Sequence, residues 1–141
     1  MKTFGFKDNK CVALGLQGVE KQEVYTAPEG QSLAFAMNSP QNNTCYVITN
    51  YASVLFGMLE TPPEPYFNFN LTFKNINGFY GTIAGNFRMT DDDIAETGNT
   101  IKVYWDNPDF DITDNYTVLH IHIWHDGINY CGHIDGYVEE T

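Results

Sequence analysis

The feature that most constrains this chain is its punctuation. Short runs of β-branched and aromatic residues, four to eleven residues long, recur from end to end. Between them stand clusters of Gly, Pro, Asn, Asp and Ser. We read strands over Thr3–Phe6, Val12–Leu16, Glu23–Thr26, Leu33–Asn38, Thr44–Thr49, Ser53–Leu59, Tyr66–Lys74, Phe79–Met89, Thr100–Trp105, Thr117–Trp124 and Ile128–Ile134. Turn chemistry separates them at Pro28–Gly30, Ser39–Asn43, Thr61–Pro65, Asn77–Gly78, Asn107–Asp114 and Asp126–Gly127. Such spacing predicts an all-β domain, a β-sandwich or jelly-roll-like fold. No long 3.6-residue apolar period is present. One short helix is expected over Asp91–Thr97, where Thr90 can cap it, Asp91–Asp93 suit its N-terminal end and Gly98 can stop it. The length of 141 residues fits one domain over 1–141.

Alternation assigns faces. In Tyr66–Lys74, Phe67, Phe69, Leu71 and Phe73 share one side. Phe79, Ile83, Phe87 and Met89 share a side of the next run. A three-residue loop, Ile76–Asn77–Gly78, would join the two as a hairpin, setting Leu71 against Ile83 and Phe67 against Phe87.

The charge excludes some functions. Seven Lys and Arg against eighteen Asp and Glu leave a net charge of −11. Binding to nucleic acid needs cations that displace phosphate counterions, so no direct nucleic-acid partner is expected. An anionic membrane surface is disfavoured likewise. No window reaches the length of a transmembrane helix, and MKTFGFKDNK carries no hydrophobic signal core, so cytosolic synthesis is expected. Three cysteines, Cys11, Cys45 and Cys131, form no disulfide framework.

The four histidines all fall in TVLHIHIWHDGINYCGHID. Asp126–Gly127 is a two-residue hairpin signal. Closing the turn there would pair Trp124 with Asn129, His122 with Cys131 and His120 with His133. Leu119, Ile121, Ile123, Tyr130 and Ile134 would form the buried side. His120, His122, Trp124, Cys131, His133 and Asp135 would share the other. Three imidazoles at that spacing can converge on one point, with Cys131 or Asp135 as a fourth ligand, a set suited to zinc or iron. His120-Ile-His122 resembles the His-x-His metal strands of carbonic anhydrases and cupins, where a further His joins from elsewhere in the sheet. It also resembles the His-x-His strands that surround one iron in some trimeric phage tail proteins. These resemblances cover His120 and His122, with His133 as third ligand. The HxHxDH motif of metallo-β-lactamases is not met, because Trp124 stands where the aspartate belongs. The bland alternative is that these histidines pack and hydrogen-bond on a sheet surface. A lesser candidate is calcium held by Asp106, Asp109, Asp111 and Asp114 in one loop, without the glycine and glutamate of an EF-hand.

No P-loop, Rossmann glycine motif or nucleophile elbow occurs. The chain therefore reads as a non-enzymatic binding or assembly module. A virion or tail component would fit, with a protein or a carbohydrate as partner, or as a homo-oligomer. The alternatives are a metal-dependent enzyme centred on His120, His122 and His133, and an acidic inhibitor that mimics nucleic acid.

Overall fold

The structure is a computed structural model that describes residues 19–31, 33–59, 61–62, 64, 66–74, 87–91, 99–110 and 116–138. Among these residues every regular element is a strand. They are β1 (Lys21–Thr26), β2 (Leu33–Asn38), β3 (Thr44–Thr49), β4 (Tyr51–Gly57), β5 (Asn68–Lys74), β6 (Phe87–Thr90), β7 (Thr100–Ile101), β8 (Val103–Trp105), β9 (Val118–His125) and β10 (Tyr130–Tyr137). The chain is all-β in two mixed sheets. Sheet A has the order β1-β3-β5-β9-β10-β8, and sheet B the order β2-β4-β6-β7. No described helix is long and apolar enough to cross a membrane.

The first six strands alternate between the sheets. Odd-numbered strands enter sheet A and even-numbered ones sheet B, and within each sheet they run parallel. In sheet A the register steps from Lys21 to Thr44 to Phe69. Parallel neighbours need a crossover, and here the crossover is a strand of the other sheet. β9 and β10 then extend sheet A in antiparallel fashion, and β8 closes it in parallel with β10.

This pairing overturns the expected hairpin after β5. Leu71 lies between Tyr46 of β3 and Ile121 of β9, so both of its neighbours are taken; Ile83 lies outside the described residues. Phe87 belongs to the other sheet, where it pairs with Val54. The run read as one strand over Thr100–Trp105 is divided at Lys102. Its first half pairs with β6 in sheet B and its second half with β10 in sheet A. The expected helix lies, beyond Asp91, outside the described residues. So do the strands read over Thr3–Phe6 and Val12–Leu16.

One apolar cluster joins the sheets. Phe56 of sheet B meets Tyr46 and Phe69 of sheet A at centroid distances of 5.7 and 5.1 Å. Within sheet B it also meets Phe35 and Phe87. Leu119, Ile121, Ile123, Tyr130 and Ile134 are buried in the same cluster, as the alternation of the C-terminal hairpin predicts. Burying each such side chain contributes roughly 1.5–3 kcal/mol. The opposite face of sheet A carries His120, His122 and His133.

Candidate functional site

The turn between β9 and β10 sets the site. Asp126 Oδ1 accepts from the amides of Ile128 and Asn129 at 2.8 and 2.7 Å, and Asp126 N donates to Asn129 O at 3.0 Å. Gly127 takes the left-handed backbone this requires, with φ 102°. These amides, that of Asn129 foremost, hold the Asp126 carboxyl below its ordinary pKa. The loop therefore has four residues and places His125 opposite Tyr130. This corrects the expected register. His122 opposes His133, His120 opposes Asp135, and Trp124 opposes Cys131. The aspartate's reach for two amides favours the longer turn over the two-residue one. The shift is two residues, so every side chain keeps its face.

Three rows cross the outer face of sheet A. One runs Val24, Val47, Thr72, His120, Asp135. The next runs Gln22, Cys45, Asn70, His122, His133. The third holds Asn68, Trp124, Cys131 and Tyr104. The middle of this face is inaccessible: Cys45, Thr72 and His120 are 1%, 4% and 3% exposed. Parallel sheets are commonly covered on both faces, and buried polar side chains then need partners.

Each imidazole has a partner on at least one ring nitrogen, and the partners differ. His120 Nδ1 lies 2.9 Å from Thr72 Oγ1, whose oxygen is 3.6 Å from Cys45 Sγ. Burial pushes the His120 pKa down; the carboxylate of Asp135 opposes this, and Lys74 adds to it. His122 Nε2 lies 3.3 Å from Asn68 Oδ1, and its ring stacks on Trp124 at 5.1 Å. Burial, followed by the nearby His133, pushes the His122 pKa down to about 4. His133 stands between two carboxylates. Its Nδ1 lies 2.5 Å from Asp106 Oδ1 and its Nε2 3.2 Å from Asp135 Oδ1. Burial works against the charged ring there, but the hydrogen bond to Asp106 and the charge of Asp135 outweigh it and raise the pKa. A protonated His133 donates to both.

The structure thus brings His120, His122, His133 and Asp135 onto one face but points the rings at Thr72, Asn68 and the two aspartates. Among the described residues no group of three or more His, Cys, Asp or Glu is arranged to hold a metal ion. Cys131 turns away to the hairpin, its Sγ 3.6 Å from Asp126 Oδ2 and 3.8 Å from Asn129 O. Burial and then the charge of Asp126 raise its thiol pKa, while burial raises that of Cys45. Neither thiol has the electropositive setting of a nucleophile. Of the calcium candidates, Asp106 is engaged by His133 and Asp109 is exposed, while Asp111 and Asp114 lie outside the described residues.

Thr72, Cys45, Asn68 and Asn107 were missed by sequence reasoning. The first three belong to the second face of alternating strands, a parity the sequence does show. Asn107 docks the chain after β8 onto β10: its Nδ2 donates to Ile134 O at 2.6 Å, and its Oδ1 accepts from Ile134 N at 3.2 Å. Only its place in a turn after Trp105 could have marked it.

Comparison with protein-family models, curated proteins and solved structures gives no match.

Proposed function

We propose that the chain is a non-enzymatic β-sandwich module for binding or assembly, of the kind a virion or tail structure uses. The observation that carries this is the place of β1 and β2 at the ends of the two strand orders among the described residues. Among the described residues β1 pairs only with β3, and β2 only with β4. Each is six residues long and free of proline, and Val24 on β1 is 59% exposed. A terminal strand of this length is a template for a further strand. Both edges belong to the first turn of the alternating chain, so a second copy seated there can continue both sheets at once. The inaccessible Cys45, Thr72 and His120 also support a structural rather than a catalytic use of the polar face.

Light scattering on the purified protein tests the assembly. The expected mass is a multiple of 16.0 kDa. Changing Val24 and Leu33 together to Lys should return it to the monomer. A wild-type protein that stays monomeric at every concentration removes self-assembly through these edges.

One observation favours a second reading. His120 Nε2 and Asp135 Oδ2 are buried, lie on opposed residues, and have no hydrogen-bond partner among the described residues. A zinc or iron ion taking these atoms, with His122 and His133 turned towards it, would give the metal-dependent alternative. Elemental analysis of untagged protein decides it: a stoichiometric metal supports this reading, and metal-free folded protein removes it.

A further inference from the structure

A cleft of about 400 Å³ opens at one end of the sheets, where the chain crosses between them. Its walls come from the start of β1, the β2–β3 turn, the segment between β4 and β5, and Tyr130 at the start of β10. That volume suits a small ligand. Its lining is mixed. Met58, Leu59, Pro62 and Phe67 give it apolar surface, while Gln41 and Glu64 present an amide and a carboxylate. Lys21 and Glu20 add opposite charges at its edge.

The walls are fixed before any ligand arrives. Lys21 Nζ donates to Gln41 Oε1. Asn42 accepts from the Asn68 amide at 2.9 Å and donates to Glu64 at 3.4 Å. Tyr130 OH donates to Leu59 O at 2.8 Å. Preorganised polar groups lower the ordering cost of binding.

Tyr66 does not itself line the cleft, but in the chain it lies between Glu64 and Phe67, which do. It is 88% exposed, and its backbone is left-handed, with φ 58°. Both features cost stability. A large ring in water gains nothing from burial, and a bulky residue in the left-handed region is strained. Among the described residues no aromatic contact holds the ring, and an asparagine would hold the same backbone more comfortably. Strain of this kind gathers where a side chain is held out for a ligand.

We infer that this cleft binds an uncharged oligosaccharide, with the Tyr66 ring stacking on the apolar face of one sugar and Gln41 and Glu64 bonding hydroxyl groups. A pyranose offers the matching chemistry, with carbon–hydrogen faces for an aromatic ring and hydroxyl edges for amide and carboxylate. The net charge of −11 repels acidic glycans, which selects neutral ones. The inference rests on the reading of the chain as a binding module, but it uses a different surface from the β1 and β2 edges. Monomeric protein that binds sugar would remove self-assembly and keep the cleft.

The test is an amide chemical-shift titration of the full chain with maltotriose, cellotriose and chitotriose, and with sialyllactose as the charged control. At least one neutral trisaccharide should give saturable shifts confined to Ser39, Gln41, Asn42, Asn43, Glu64, Tyr66 and Phe67, with a dissociation constant in the millimolar range or below. Tyr66→Asn should weaken that binding about tenfold. The same variant should melt about 3 °C higher, because the backbone strain is relieved. A purely structural tyrosine would not separate affinity from stability in this way. The inference is overturned by an absence of saturable shifts at about 20 mM of all three sugars. Shifts centred on Trp124, a preference for sialyllactose, or unchanged affinity in Tyr66→Asn would overturn it equally.

Discussion

The two faces of sheet A are one strand thick apart and are buried by opposite chemistry. On the core face, Tyr46, Leu71, Ile121 and Ile134 form a row across four strands. On the outer face, one residue along, the corresponding row is Val47, Thr72, His120 and Asp135. The first row gains free energy simply by leaving water. The second loses it unless each polar atom finds a partner. That requirement sorts the imidazoles. His120 and His122, towards the middle of the sheet, meet the neutral side chains of Thr72 and Asn68 and are held uncharged. His133, one strand nearer the β8 edge, meets two carboxylates, which favour its charged form and raise its pKa. Burial and the partners on this face together bias protonation as well as packing.

If the core face works by apolar packing, Phe56→Ala should show the largest effect. Its ring links both sheets, and its removal should cost about 3–5 kcal/mol in urea unfolding. A loss under 1 kcal/mol would break the contrast at its apolar side.

The outer face should show itself in acid. His122 has a folded pKa of about 4, below its ordinary 6.5. Its contribution is therefore complete above pH 6.5 and is lost as pH falls towards 4. The loss is at most about 3 kcal/mol, reduced by solvent screening because the ring is only half-buried. His120 has the same sign. In His122→Phe, which keeps an aromatic ring on Trp124, this part of the acid slope should vanish. A slope unchanged by the substitution would assign it to other groups.

Gly132 sharpens the comparison from the core side. A Cβ there would lie 2.6 Å from the Trp105 ring and 3.0 Å from Val103. Gly132→Ala should cost about 1–3 kcal/mol through overpacking, read as a lower urea midpoint. The smallest effect belongs to His133, whose pair partners are partly solvated. Its raised pKa gives stability that is complete below pH 6.5 and lost as pH rises through the folded value. His133→Gln should therefore lower stability at pH 6 by under about 1 kcal/mol and leave it unchanged at pH 9.

What the sequence reveals follows the same division. The runs Leu33–Asn38 and Thr44–Thr49 are strands with those bounds, and the buried side of the C-terminal hairpin is the one that alternation assigns. Alternation reports a side chain's face, and nothing more. It is identical for parallel and antiparallel neighbours, so it could not show that β5 lies between β3 and β9. It is also blind to a slip of two residues, which preserves every face. The His122–His133 pairing hung instead on whether Asp126 caps a four-residue turn. The oxygen partners of His120 and His122 come from β5, 48 and 54 residues away, beyond the reach of any local pattern. A split such as that at Lys102 leaves no mark in a continuous run of strand-forming residues.

The central claim is that the outer face orders three imidazoles by their partners. An NMR pH titration of the histidine ring signals tests it most directly. His133 should titrate above pH 6.5, His120 below it, and His122 at about 4. Three rings titrating together near pH 6.5 would contradict it.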